Sequence, residues 1–265
     1  MRLPTTDGPC LAYRFSGFGP PVVLIHGSGT DNRRWNPVIP LLERAYSVYS
    51  VDRRGYGCSE DSTQYQIESD FQDIATLIRH IGKGPVDLVG HSYGALCALG
   101  LAQDKTLVRR VVAYEPPIAA VDGAYFKQTL IGTMRSAVDS GDPDAALAAF
   151  LSDVFAMDDT AIHAARKLKS WETLISGVSR TLRELENVHR LGKAPGVFRH
   201  SQVPILLLVG EESPPQYHAT ARALQETIPG TQVQLLPGQG HGAIDHASEL
   251  FCTAVVRFLA EDHAP

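Results

Sequence analysis

Six short apolar runs that alternate with amphipathic stretches constrain this chain more than any other feature. The apolar runs are residues 21–27, 46–52, 86–90, 109–115, 204–210 and 231–237, and the helix candidates are 32–45, 66–81, 92–103, 216–228 and 247–261. Continuous apolar runs are typical of strands that are buried on both faces. Their alternation with helices predicts an α/β fold on a mostly parallel, doubly wound sheet. Weaker strand signals on either side of Asp7-Gly8 predict an edge hairpin.

One long interval breaks this alternation. Residues 118–202 contain no strand signal, but helical patterns recur in them, and Asp142 and Asp158 are placed to begin helices. The interval has no Gly/Ser-rich linker at which a separate domain would begin. We therefore predict a core of residues 1–117 and 203–265 that is interrupted by a helical insertion at 118–202, which forms a cap, or lid.

Composition excludes several classes of function. Of the 265 residues 44% are hydrophobic, and the net charge of -5 comes from mixed charges without a basic block, so we expect no nucleic-acid partner. No stretch of 18 or more apolar residues appears, and the N-terminus lacks the apolar segment of a signal peptide, so we expect no membrane partner and a cytoplasmic protein. The cysteines are far apart and form no CxxC, which predicts free thiols and no metal site; they are Cys10, Cys58, Cys97 and Cys252.

The segment Gly90-His91-Ser92-Tyr93-Gly94 marks a candidate nucleophile. It connects an apolar run to a helical pattern, and a strand that turns directly into a helix holds its central residue at strained, positive φ. Glycines two positions before and after that residue leave room for the backbone to turn back. Ser92 is thus expected to project from the carboxyl end of the sheet, beside the N-terminus of a helix that favours negative charge.

Four ordered motifs carry a resemblance to a known superfamily. They are Leu24-Ile25-His26-Gly27-Ser28-Gly29, Asp52-Arg53-Arg54-Gly55-Tyr56-Gly57-Cys58-Ser59, Gly90 to Gly94, and Pro237-Gly238-Gln239-Gly240-His241. With them the chain resembles the α/β-hydrolase superfamily over nearly its whole length. The resemblance implies an oxyanion hole formed by the backbone N–H groups of Ser28 and Tyr93, with Gly29 as an alternative to Ser28. His26 is expected to brace this loop.

The same resemblance makes His241 the general base. It follows the last apolar run, and flanking glycines leave its backbone free to direct the ring towards Ser92. We interpret His246 as a surface or capping residue and His91 as structural. The segment 238–243 also fits a GxGxxG/A dinucleotide motif, but too few residues follow it for the second strand of a βαβ unit.

The acid of the triad is less obvious. The resemblance places an aspartate after the run at 204–210, but Ser213 stands there. We favour Glu115, since it ends the run at 109–115 and the following proline is expected to hold it extended at the carboxyl edge of the sheet. Glu212 is the principal alternative and Glu211 the next, with Asp245 more remote.

These features predict a cofactor-free serine hydrolase with a Ser-His-Glu triad. We expect a small-molecule substrate: an ester or lactone of medium size that is largely apolar. The side chains expected to line its pocket are Trp35, Phe126, Met134 and Trp171. The same scaffold also suits a carbon–carbon bond hydrolase, a haloperoxidase-like perhydrolase or a non-catalytic ligand-binding homologue. No metal is expected, and the sequence does not specify an oligomeric state.

Overall fold

The fold is built on one eight-stranded sheet. The computed structural model describes residues 1–119, 125–191 and 195–261. The strands are β1 (Arg2–Pro4), β2 (Cys10–Ser16), β3 (Pro21–Ile25), β4 (Ser47–Asp52), β5 (Val86–His91), β6 (Val108–Tyr114), β7 (Ile205–Gly210) and β8 (Gln232–Leu236). They are ordered β1-β2-β4-β3-β5-β6-β7-β8 across the sheet. Pairing from β4 to β8 is parallel, whereas β1 and β2 join as antiparallel strands at one edge. The α/β prediction and the edge hairpin are thus confirmed.

The central strands are buried because their sequences are apolar on both faces. Every residue of β3, β5 and β7 is buried. Helices pack on both sides of the sheet, and they are α1 (Ile39–Leu42), α2 (Ile67–Ile81), α3 (Tyr93–Leu101), α8 (Pro215–Thr227), α9 (Ala243–His246) and α10 (Ser248–Ala260). Parallel strands place all their carboxyl ends at one edge, so the loops that follow β3, β5, β6, β7 and β8 converge there.

The predicted helix at 32–45 is wrong. The chain instead forms a short 3-10 helix at Asn32–Trp35 and the four-residue α1. Pro37 and Pro40 explain the break, since proline lacks the N–H that helix propagation needs and its ring clashes with the preceding turn. Pro40 is accommodated in the first turn of α1, where no intrahelical donor is required.

Most of the interval without strands forms a second compact unit. The chain divides into Met1–Asp122 with Lys193–Pro265, which holds the sheet, and Gly123–Gly192. The helices of the second unit are α4 (Gln128–Asp139), α5 (Pro143–Phe155), α6 (Asp159–Ala165) and α7 (Lys169–Leu191). Asp142 and Asp158 cap α5 and α6 by accepting N–H bonds from Ala145 and Ala161. The division falls at 122/123 and 192/193, inside our predicted boundaries at 117/118 and 202/203. The role of this unit as a lid stays a prediction.

Two buried arginines in the loop after β4 anchor this loop to helix α2. Arg53 pairs with Asp70, and Arg54 pairs with Asp73 one helical turn later. Arg54 also binds Asp7 in the turn of the edge hairpin, which links this turn to the loop after β4. The four cysteines are free thiols, two of them buried. Within the described ranges, no helix is both long and apolar enough to cross a membrane.

Candidate active site

Ser92 occupies a strained turn between β5 and α3. Its backbone has φ 53° and ψ -121°, a conformation that L-residues rarely adopt, and its N–H donates to the Tyr114 carbonyl at 2.8 Å. The turn depends on Gly94, where an added Cβ would lie 2.1 Å from the Ile25 carbonyl oxygen at the end of β3. Only glycine therefore lets α3 begin this close to β3. The half-buried Ser92 side chain lies at the carboxyl edge of the sheet, as predicted.

The loop after β3 lies directly against this turn. β3 and β5 are neighbouring parallel strands, so both loops leave the sheet at the same edge. An added Cβ on Gly27 would lie 3.0 Å from the Ser92 Cβ, and Ser28 follows in a turn with Gly29 at φ 68°. Tyr93 is the first residue of α3, where backbone N–H groups lack partners within the helix. The two predicted oxyanion donors thus belong to segments of the chain that lie next to each other.

His26 and Arg53 brace the candidate oxyanion loop. The His26 Nε2 accepts the Arg53 backbone N–H at 3.0 Å, so its Nδ1 carries the proton and donates to the Gly27 carbonyl at 2.7 Å. The buried Arg53 guanidinium donates to the carbonyls of His26 and Gly27 at 2.9 and 3.1 Å. Burial and the Arg53 charge lower the pKa of His26 to about 3, so the ring stays neutral. This confirms a bracing role for His26.

The same arginine reaches the residue after Ser92. The Arg53 guanidinium lies 4.7 Å from the centre of the Tyr93 ring, within the range of a cation–π interaction. The Tyr93 hydroxyl lies 3.0 Å from that of Tyr65, which donates to Asp70 at 2.6 Å. Asp70 closes the network by pairing with Arg53. One buried cation therefore contacts both segments that carry the candidate oxyanion donors.

His241 and Glu115 meet at the same edge of the sheet. The His241 Nδ1 lies 2.5 Å from the Glu115 Oε2, and the Glu115 side chain is fully buried. Its other oxygen, Oε1, accepts the Gly210 N–H at 2.7 Å and the Ser213 hydroxyl at 2.5 Å. A carboxylate only accepts hydrogen bonds, so the His241 Nδ1 carries the proton and its Nε2 is left as a base. The geometry therefore selects Glu115 as the partner of His241.

The model of the family described as "Alpha/beta hydrolase family" matches residues 22–254. The chain belongs to the α/β-hydrolase family. It is 25% identical over 260 residues to 2-(acetamidomethylene)succinate hydrolase from Mesorhizobium japonicum, which covers 94% of this chain and 91% of that one. It is 25% identical over 275 residues to 2-hydroxy-6-oxo-6-(2'-aminophenyl)hexa-2,4-dienoic acid hydrolase from Metapseudomonas resinovorans. That match covers 98% of this chain and 90% of the relative. An α/β hydrolase structure from Sphaerobacter thermophilus matches with a TM-score of 0.85 at 26% identity. The match covers 98% of this chain and 100% of that one.

In this α/β hydrolase the backbone of Glu115 differs from our expectation. We predicted an extended residue because Pro116 follows, but Glu115 has φ 51°, in the left-handed region. Such a conformation costs a non-glycine residue about 1–3 kcal/mol. Hydrogen bonds from Gly210, Ser213 and His241 to its carboxylate offset that cost. Glu115 was predicted from the sequence, whereas its contact with Ser213 was not, although a hydroxyl at the position of the usual aspartate was a signal for it.

The other carboxylates that we considered lie in different surroundings. Glu211 accepts the Gly238 N–H at 2.9 Å, and its side chain is exposed. Glu212 is also exposed, and its backbone N–H donates to the Gln239 carbonyl at 2.8 Å. Asp245 forms an ion pair with Arg34, which follows the candidate oxyanion loop. The carboxylates of Glu211 and Asp245 thus have other partners, and Glu212 is held in its loop through its backbone N–H.

His91 contacts the loop that carries His241, in line with the structural role that we predicted. Its Nε2 lies 3.2 Å from the His241 carbonyl oxygen and so donates to it, and the two rings lie 4.5 Å apart. The His91 ring also stacks on Tyr114 at 5.2 Å. Burial lowers the pKa of His91 well below its usual value, so this side chain stays neutral. His91 therefore links the nucleophile turn to the loop that carries His241.

The predicted pocket residues are all buried. Trp35 is fully buried in the core between the sheet and α10, with its ring 6.3 Å from Phe251, so we assign it to the core rather than to a pocket. Phe126, Met134 and Trp171 belong to the second unit. The Trp171 indole N–H donates to Asp144 at 2.9 Å, which anchors this ring within its own unit. Contact of these three side chains with substrate stays a prediction.

A substitution of His26 tests the bracing network through the pH dependence of stability. The folded-state pKa of about 3 lies below the unfolded value of about 6.5. The unfolded chain therefore takes up this proton first, and the stability that His26 contributes is present above pH 6.5 and lost as the pH falls towards 3. Relative to His26→Gln, the wild type should lose about 1.4 kcal/mol per pH unit in that window.

Urea unfolding of both proteins at pH 8, 6 and 4.5 measures this difference. His26→Gln is expected to be less stable at pH 8, with a difference that narrows at acid pH. A difference that stays constant across this range would contradict a neutral, buried His26.

Proposed function

We propose that this α/β hydrolase is a cofactor-free serine hydrolase that cleaves an ester or lactone through Ser92, His241 and Glu115. The hydrogen bond between the His241 Nδ1 and the buried Glu115 carboxylate carries this proposal. It fixes the tautomer in which Nε2 is a base, on the loop that packs against the turn of Ser92. This is the arrangement that general-base activation of a serine requires.

In the proposed mechanism, Ser92 Oγ attacks the substrate carbonyl while the His241 Nε2 accepts its proton. Glu115 stabilises the resulting imidazolium, and the N–H groups of Tyr93 and Ser28 stabilise the oxyanion. Each such donor lowers the barrier by about 3 kcal/mol. His241 then protonates the leaving alcohol, which leaves an acyl-enzyme on Ser92. Water, activated by the same histidine, releases the acid and regenerates the hydroxyl.

The names of the relatives indicate a class of substrate. Both curated relatives are named as hydrolases of organic acids, a substituted succinate and a substituted dienoic acid. Those names support a hydrolytic reaction on a small carbonyl compound. They also keep carbon–carbon bond hydrolysis as the second candidate, because the same serine and histidine serve attack on a ketone carbonyl. The medium size and apolar character of the substrate remain sequence-based parts of the proposal.

A substrate panel tests the proposal. It should contain p-nitrophenyl esters of short and medium acyl chains, the same esters bearing a terminal carboxylate, small and large lactones, and a β-diketone. Peracid formation from acetate and hydrogen peroxide measures perhydrolysis. We expect hydrolysis of at least one ester or lactone class to exceed the buffer rate by about 10⁶-fold or more. A folded protein that cleaves only the diketone, forms only peracid or turns over none of these compounds would contradict the proposal.

A further inference from the structure

Ser213 holds the Glu115 carboxylate from the side opposite His241. The Ser213 hydroxyl donates to Oε1 at 2.5 Å, and the Glu115 Oε2 faces the His241 Nδ1 at 2.5 Å. The carboxylate therefore lies between a serine and the candidate base. The proposed mechanism gives no role to this serine, and nothing in the chemistry of the triad requires a hydroxyl there.

The backbone of Ser213 is fixed at the carboxyl edge of β7. Its N–H donates to the Gly210 carbonyl at 3.1 Å, and its own carbonyl accepts from the His218 Nε2 at 3.1 Å. The residue is buried, with 6% of its surface exposed. Because β6 and β7 are paired and parallel, the residues that follow them share one edge of the sheet. Ser213 is thus built into the site and is not a mobile loop residue.

The Ser213 hydroxyl also lies close to the segment that carries His241. An added Cβ on Gly240, the residue before His241, would stand 3.9 Å from the Ser213 Oγ. An added Cβ on Gly210 would stand 2.7 Å from the same oxygen. The Ser213 hydroxyl therefore lies between the end of β7 and the segment that carries His241.

We propose, on the basis of the proposed function, that Ser213 is a positioning residue for Glu115. Ser213 and the Gly210 N–H hold Oε1, which leaves Oε2 directed at the imidazole.

The positioning role predicts that the effect of Ser213 depends on Glu115. Ser213→Ala should lower kcat about 10- to 100-fold with little change in KM, because it removes a hydrogen bond to a charged group that acts only through His241. In a Glu115→Gln background the same substitution should have an effect of less than about 3-fold. Ser213→Thr, which keeps the hydroxyl, should retain most of the wild-type kcat. Equal losses in both backgrounds would overturn the positioning role.

The outcomes separate this inference from the proposed function. A Ser213→Ala protein that is folded and retains wild-type kcat overturns the inference while wild-type hydrolysis stands. A wild type without Ser92-dependent hydrolysis overturns the proposed function itself. Circular dichroism and thermal unfolding establish folding of each variant.

Discussion

Ser92→Ala is expected to lower kcat/KM for the best ester or lactone by about 10⁴- to 10⁶-fold while the protein stays folded. Removing the hydroxyl removes the atom that forms the acyl-enzyme, and the oxyanion donors alone leave a small residual rate. Alanine keeps the Cβ that already tolerates φ 53°, so the turn itself should not change. Steady-state kinetics of both proteins, with circular dichroism as the folding check, measure the effect.

A matched serine variant provides the control. Ser136 is exposed on α4, and Ser136→Ala should leave kcat/KM unchanged. If Ser92→Ala kept more than about a tenth of wild-type activity, Ser92 would not be the nucleophile, because no covalent mechanism tolerates loss of the attacking oxygen.

Glu115→Gln is expected to lower kcat/KM by about 10³- to 10⁴-fold. Glutamine has the same shape, so its carbonyl oxygen can accept from Gly210 and Ser213 as Oε1 does now. Its NH₂ group then faces His241 and donates to Nδ1. The imidazole proton is thereby forced onto Nε2, the atom that must accept the proton of Ser92, and the base is lost.

Glu212→Gln makes the same chemical change at the exposed alternative position. We expect it to retain wild-type kcat/KM within about 3-fold, in line with the small effects of surface substitutions. Measured side by side on the same substrate, the two variants decide between the candidate acids. A full loss in Glu212→Gln together with an active Glu115→Gln would reverse the assignment.

The parts of this site that depend on local sequence were predictable. A strand, a glycine, a serine and a helical pattern in succession specify the turn of Ser92, since only that order of backbone conformations fits the residues. The strand positions followed from apolar runs that are buried on both faces. Where local signals conflicted, the prediction failed: the apolar pattern at 32–45 favoured a helix, and Pro37 and Pro40 prevented it.

The parts of the site that depend on contacts between neighbouring strands were harder to predict from the sequence. Glu115 and Ser213 are 98 positions apart in the chain, and they meet because β6 pairs with β7. No periodicity encodes that hydrogen bond, and the left-handed backbone of Glu115 contradicts the local preference of a residue before proline. The contact of Arg53 with both the candidate oxyanion loop and Tyr93 arises in the same way. Such contacts override local propensity, and here they concentrate at the candidate site.

Covalent labelling of Ser92 tests the central claim most directly. The folded wild-type protein is incubated with a fluorophosphonate, which reacts with serines activated by a general base, and is then digested and analysed by mass spectrometry. The account predicts one phosphonate per chain on the peptide that contains Ser92, slower labelling of Glu115→Gln, and none of Ser92→Ala. A folded wild type that remains unlabelled, or that is labelled at another residue, would contradict it.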